Sequence, residues 1–191
     1  PHLFSSAASD VYKRQMLGNF SVGEYFKEDA IKYSYEYITE VLKVDKDKLW
    51  FTVYKDDDEA YDIWKNVIGV PEKRIQRGNE DNFWHMNIPG PCGPCSEIFI
   101  DRGSKYGEDG GPIGGGEDRF IEIWNLVFME SIQDQPFQVI DELPKKNIDT
   151  GMGLERIAMI MQDKDNLFDT DLFKPLHLSL IHISEPTRLT S

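Results

Sequence analysis

Asn147 to Met161 reads Asn-Ile-Asp-Thr-Gly-Met-Gly-Leu-Glu-Arg-Ile-Ala-Met-Ile-Met. The first half is polar and broken by glycine. The second half recurs at helical spacing, with Leu154, Ile157, Ala158 and Met161 on one side. The stretch therefore reads as a loop feeding a helix. Asp149 or Thr150 is the expected cap, because either side chain accepts the first free backbone N–H groups. Gly151 and Gly153 have no side chains, so a ligand comes close to the backbone there. Arg156 falls in the first helical turn, where N–H groups and the helix dipole favour an anion. Its guanidinium adds a fork of donors matched to phosphate oxygens. An ordinary capped helix, with Arg156 paired to a surface carboxylate, is the other reading of the same residues.

The surrounding chain has 191 residues, 40% of them hydrophobic, which suits one domain with a real core. Its formal net charge of -13 excludes a general basic nucleic-acid binder, DNA included, but leaves room for a local basic pocket. No run of about 20 apolar residues exists, so no membrane partner is expected. Cys92 and Cys95 are too few for a disulfide scaffold, and a cytoplasmic setting follows. The ends differ in character from the middle. Pro1–Gln15 is Ser/Ala-rich without apolar periodicity, and His177–Ser191 lacks the acidic, aromatic pattern that precedes it. Both resemble translated adapter sequence, so residues 16–176 are expected to carry the fold.

From Met16 onward the pattern alternates between strands and helices. Met16–Lys27 suits a strand ending in a turn, and Glu28–Leu42 an amphipathic helix with Ile31, Tyr35, Ile38 and Leu42 as its core stripe. Leu49–Tyr54 reads as a buried strand. The four carboxylates Asp56–Glu59 invite a metal, but acidic residues favour a helix N-terminus, so a cap is expected. Gly69-Val70-Pro71 ends that helix. Ile75–Arg77 suits a short strand. Ile88–Pro94 reads as a Pro/Gly-rich loop holding Cys92-Gly-Pro-Cys95, followed by a strand at Ser96–Asp101. A zinc site there needs two more ligands, and a redox pair wants a helix after it, so a rigid loop beside a pocket is expected. Gly103–Asp118 holds seven glycines without the Lys-Ser/Thr ending of a P-loop and reads as a flexible connection. Arg119–Glu130 is the strongest strand. Strict alternation sets Ile121, Ile123, Asn125, Val127 and Met129 on one side and Phe120, Glu122, Trp124, Leu126 and Phe128 on the other. Gln133–Lys146 reads as a loop with a short edge strand at Phe137–Ile140.

Six separated blocks then converge: Met16–Lys27, Asp81–Met86, Gly90–Ile98, Arg119–Met129, Asp149–Ile157 and Phe168–Leu176. Together, and in order, they resemble the catalytic domain of alanyl-tRNA synthetases, a family of class II aminoacyl-tRNA synthetases. The most specific matches are Gly-Pro-Cys-Gly-Pro-Cys from Gly90, ahead of Glu97-Ile-Phe, and Asp-Thr-Gly-Met-Gly-Leu-Glu-Arg from Asp149. The resemblance implies an α+β fold with a mixed, mainly antiparallel sheet flanked by helices, truncated on its N-terminal side. It also implies a ligase that joins alanine and ATP into alanyl-adenylate and passes the alanyl group to the 3′ end of tRNA(Ala).

The same resemblance implies roles for single residues. Arg156 would hold the terminal phosphates of ATP, with Mg²⁺ sharing the charge, and Gly151 and Gly153 would let the nucleotide lie against the backbone. Asp149 would take the alanine ammonium group, Trp84 would form an aromatic wall, and Asn125 and Val127 would supply one polar and one apolar contact. One departure matters. The family's second signature motif, with its α-phosphate arginine and adenine-stacking aromatic, precedes the match to Met16, and Ser5–Gln15 stand there instead. The chain is thus expected to be an internal fragment that activates alanine poorly or not at all. A non-catalytic ATP- or partner-binding module on the same fold, and a small zinc domain built on the two cysteines, are the competing readings.

Overall fold

A computed structural model describes residues 16–184, so the adapter-like reading of Pro1–Gln15 lies outside the described residues, as does the tail beyond Ser184. The chain divides into two compact units, one ending at Met152 and one beginning at Gly153. Among the described residues, no helix is long and apolar enough to cross a membrane.

Among the described residues, the first unit has seven strands: β1 (Phe20–Val22), β2 (Leu49–Tyr54), β3 (Ile75–Gly78), β4 (Phe83–His85), β5 (Gly90–Asp101), β6 (Phe120–Gln135) and β7 (Gln138–Met152). They lie in the order β1-β7-β6-β5-β2-β3, with β4 paired to the first half of β5. Only β2 and β3 run parallel; the other pairs are antiparallel. The mixed, mainly antiparallel α+β architecture is the one expected.

One side of this sheet is the core. Leu49, Phe51 and Val53 of β2, Ile98 of β5, Leu126 of β6 and Ile148 of β7 are buried there. Helix α1 (Lys27–Glu36), continued by a wider turn over Tyr37–Val41, brings Ala30, Ile31 and Ile38 into the core. Helix α2 (Asp58–Asp62), continued over Ile63–Ile68, supplies Trp64, whose ring lies 4.1 Å from that of Phe51. Burying side chains of this size stabilises by about 1.5–3 kcal/mol each. The indole N–H and the hydroxyl buried here are paired: Trp64 Nε1–H donates to Ser96 Oγ at 2.8 Å, and Ser96 Oγ–H donates to Thr52 O at 2.8 Å.

The acidic run caps its helix, as expected. Asp57 Oδ1 accepts from Ala60 N–H at 3.0 Å, and Gly69 ends the helix in the left-handed region at φ 82°. Asp57 also takes a charge partner. Lys27, 3% exposed at the start of α1, sets its Nζ 2.9 Å from Asp57 Oδ1, 3.3 Å from Glu59 and 3.4 Å from Glu130. Burial alone would push the Lys27 ammonium down. The carboxylates of Asp57, Glu130 and Glu59 outweigh it and hold the group above its ordinary value.

Four expectations need correction. Ile88–Pro94 is no loop: from Gly90 it is the first half of β5, paired with β4 on one side and β6 on the other. Gln133–Lys146 is no loop either; β6 and β7 form a long hairpin through Pro136 and Phe137, the latter at φ 64°. Proline breaks its pattern harmlessly, because Asn147 pairs with Met129 and Glu142 with Ser131, leaving Pro144 in a bulge opposite Glu130. Strict alternation along β6 fails at Ile123. The ladder slips between Ile98–Trp124 and Phe99–Glu122, so Ile123 is an extra residue and Glu122 joins the side of Asn125. Finally, the glycine-rich segment is pinned to the sheet: Gln76 Nε2–H donates to Gly110 O at 2.7 Å, and Ile113 N–H donates back to Gln76 Oε1 at 2.9 Å. Its short helix α3 (Gly111–Gly114) sits so close that a Cβ on Gly111 would lie 2.6 Å from Trp50.

A second slip, between Cys92 and Cys95, draws β5 tight against β6. A Cβ on Gly93 would lie 1.9 Å from Phe128 O, inside any van der Waals contact.

The second unit carries helix α4 (Leu154–Met161), a turn at Leu167–Asp169 and helix α5 (Lys174–Ser184), which runs through the expected boundary at residue 177. Phe168 packs on Phe173 at 5.9 Å and on His177 at 6.4 Å. Gln162 is joined to Asp171 by hydrogen bonds in both directions.

Candidate functional site

The face of the sheet opposite the core gathers most of the residues singled out by the sequence. β6 is the middle of the patch. Asn125 lies between Glu97 on β5 and Gly151 on β7; Val127 lies between Cys95 and Asp149. Directly opposed residues project to the same side, with Cβ atoms about 4.5–5.5 Å apart. Asn125, Val127, Asp149 and Gly151 therefore share one face with Cys95 and Glu97. Val127 and Cys95 form its buried part, and Asp149 is exposed, with Phe20 of β1 beside it.

Trp84 reaches the same place by another route. β4 pairs with the first half of β5, setting Trp84 opposite Gly93, two residues before Cys95. Trp84, Cys95 and Asn125 line one cavity of about 370 Å³, which His85, Phe137 and Asp81 also border. Asn125 Oδ1 is buried and has no hydrogen-bond partner among the described residues. A buried acceptor left this way costs roughly 1–3 kcal/mol, so it favours whatever brings a donor.

The electrostatics divide the face. Glu97 is held by two donors on Oε2, Thr52 Oγ–H at 2.7 Å and Asn82 Nδ2–H at 3.0 Å. Burial pushes its carboxyl above the ordinary carboxylate range, and the charges of Glu122 and Asp81 add to this against the two hydrogen bonds. Burial also pushes the thiols of Cys92 and Cys95 up, Cys95 far beyond a usual thiol, with Glu97 adding to the effect. A buried thiol held protonated is a weak nucleophile. Both cysteines are free, and among the described residues no group of three or more His, Cys, Asp or Glu could hold a metal ion. The strand geometry at Cys92-Gly-Pro-Cys95 replaces the helix that a redox pair needs.

Sequence reasoning missed the Thr52–Asn82–Glu97 network. Thr52 looked like an ordinary strand residue, and the partners come from three separate elements. The tight packing that holds the network shows only in the structure, where a Cβ on Gly78 would lie 1.7 Å from Asn82 Oδ1.

The glycine stretch itself is corrected. It is not a loop up to Gly153; β7 continues to Met152. Neither Asp149 nor Thr150 caps the helix. Asp149 is a ladder residue, and Thr150 Oγ1 accepts from Trp124 Nε1–H at 3.0 Å and from Asn19 N–H at 2.9 Å. The alternation of Ile148, Thr150 and Met152 into the core wins over local capping, because burial fixes the register. The N-cap is Gly153, with no side-chain cap bond, and Arg156 stands exposed in the first turn of α4. Trp84, Asn125, Val127, Asp149 and Gly151 thus belong to the first unit, and Gly153 and Arg156 to the second.

Comparison with known proteins gives a consistent result. The family model described as tRNA synthetases class II (A) matches residues 14–187. The alanine–tRNA ligase of Corynebacterium glutamicum (strain R) is 54% identical over 173 residues, covering 85% of this chain and 19% of that protein. That of Corynebacterium diphtheriae is 55% identical over 173 residues, with the same coverage. That of Thermobifida fusca is 55% identical over 168 residues, covering 82% of this chain and 19% of its own length. The chain spans about a fifth of the length of the curated relatives it matches.

Proposed function

The chain belongs to the class II tRNA synthetases, and from that premise we propose that it carries the alanine pocket of an alanine–tRNA ligase. In this reading Asp149 takes the ammonium group of alanine, and Asn125 Oδ1 accepts a further N–H from it. Trp84 closes one wall, and Val127 meets the methyl group. The nucleotide roles of Gly151, Gly153 and Arg156 rest on the sequence match alone: close backbone approach at the glycines, and a guanidinium for the terminal phosphates. ATP enters as its Mg²⁺ complex, as substrate.

The reaction sets the physical demand. The alanine carboxylate attacks the α-phosphorus of ATP, the bond to the β-phosphate oxygen breaks, and pyrophosphate leaves with alanyl-adenylate formed. The alanyl group then passes to the 3′ end of tRNA(Ala). Two anions must meet in the first step, so the protein's work is positioning and charge neutralisation. The proposed place of action is the cytoplasm, where translation uses the product.

One observation carries this reading: a buried, unpartnered acceptor on Asn125, in a cavity shared with Trp84, one ladder step from the exposed carboxylate of Asp149. The test is titration of the ¹⁵N-labelled chain with L-alanine, followed by alanine-dependent ATP–pyrophosphate exchange. Saturable shifts at the Trp84 indole and the Asn125 amide are expected, with exchange far below that of a whole ligase. Shifts confined to other parts of the chain, or none, would refute the pocket.

A further inference from the structure

We propose that Cys95 sets the size limit for the substrate side chain, an inference that rests on the amino-acid reading of this face. Cys95 lies directly opposite Val127 in the ladder and lines the same cavity as Trp84 and Asn125. It is 1% exposed, so it forms a floor and not a rim. An amino acid brings two charged ends and one side chain. The carboxylate of Asp149 and the amide of Asn125 suit the ammonium end. The side chain needs a small surface that does not ionise, and Cys95 beside Val127 supplies it. A buried thiol behaves as a small hydrophobe, and burial keeps this one protonated.

The floor is also held rigidly. Gly93, two residues earlier, is locked under Phe128 O, β4 pairs with Cys92, Gly93 and Pro94, and Cys95 itself is laddered to Val127 of β6. A larger substrate therefore cannot gain room by pushing the strand down. The Cys-x-x-Cys spacing, which suggested metal or redox chemistry, finds its use here as packing: one cysteine in the ladder beside Ser131 and His85, the other under the ligand.

The test compares L-alanine with L-2-aminobutyrate, one methylene longer, by ¹H–¹⁵N titration of the 191-residue chain with the Trp84 indole as reporter. Cys95→Ala opens the floor and is expected to shrink the preference for alanine by roughly tenfold, the low end of what a methylene yields in an apolar pocket. Cys95→Ser keeps the volume and is expected to keep the preference. Should Cys95→Ala fail to fold, Cys95→Val gives the converse, weakening alanine against glycine by roughly tenfold. A preference unmoved in Cys95→Ala, or in Cys95→Val where that variant is used, overturns the role of Cys95. So does equal relaxation in the Ala and Ser variants. If the unvaried chain binds neither amino acid, the pocket assignment fails first, and this inference falls with it.

Discussion

Replacing Lys27 by methionine should cost far more than a typical single substitution. The stem is kept, but the ammonium group is removed from a site where it is 3% exposed and lies 2.9 Å from Asp57 Oδ1. Asp57 keeps one donor, Ala60 N–H, while its Oδ2 is buried with no partner among the described residues. Breaking a buried pair by deleting one member costs about 3–5 kcal/mol, because the other charge is stranded. Glu59 is 60% exposed on its side chain and adds little. The lower end, about 3 kcal/mol, is therefore expected, or a fall in Tm of roughly 6–12 °C for a domain of this size. The contribution of Lys27 is full at neutral pH, because its folded value is raised. It is lost only as the pH rises from about 10.4 through that raised value. The assay is urea unfolding at pH 7 of the single variant, of Asp57→Asn and of the double variant. The amide oxygen that Asp57→Asn introduces can still cap Ala60, so the double variant should recover to within about 1 kcal/mol of the unvaried chain, the usual result when both charges leave together. A single variant within about 1 kcal/mol of the parent would refute the reasoning, as would a double variant no better than the single.

Three further outcomes follow from the same geometry. On the proposed pocket reading, Asp149→Asn removes a charge-assisted bond worth roughly 1.5–3 kcal/mol, so alanine affinity in the titration should fall by about ten- to a hundredfold. Ser96→Ala strands the indole N–H of Trp64 in the core, and urea unfolding should register a loss of about 1–3 kcal/mol. Arg119 donates to both oxygens of Asp101, at 2.7 and 2.9 Å, and those hydrogen bonds hold the carboxyl below its ordinary value against the pull of burial. That contribution is present above the ordinary carboxylate range and is lost as pH falls through the depressed folded value. In acid titration followed by circular dichroism, Arg119→Gln should therefore unfold at a higher pH than the unvaried chain.

The elements with strong apolar patterning were legible. Leu49–Tyr54 forms a strand at its predicted bounds, the Asp56–Glu59 run caps its helix, and Arg119–Glu130 lies almost wholly inside β6. What could not be read was the pairing. Glycine and proline in Gly90–Pro94 signal a loop locally, yet β4 and β6 hold that segment in the sheet from both sides. No periodicity could reveal Ile123 as an extra residue, because the slip depends on the partner strand. The capping role expected of Asp149 and Thr150 lost to burial of their neighbours. For the site, the alternation of Asn125 and Val127 was visible, and their side of β6 is shared with Asp149 and Gly151. The arrival of Trp84 through β4, and Glu97 with its two donors, required contacts far apart in sequence.

The glycines of this chain record two different histories. At position 93 the neighbouring carbonyl of Phe128 leaves no space for even a methyl group, so any descendant must keep glycine there whatever it binds. At position 153 the atoms nearest an added Cβ would be Arg156 carbons at 3.4–3.5 Å, an ordinary contact, and the φ of -71° is open to any residue. Drift among relatives is thus free, as far as the polypeptide is concerned, to install alanine at the second position and never at the first. Persistence of glycine at 153 would have to be imposed from outside the chain, by a molecule that lies against it.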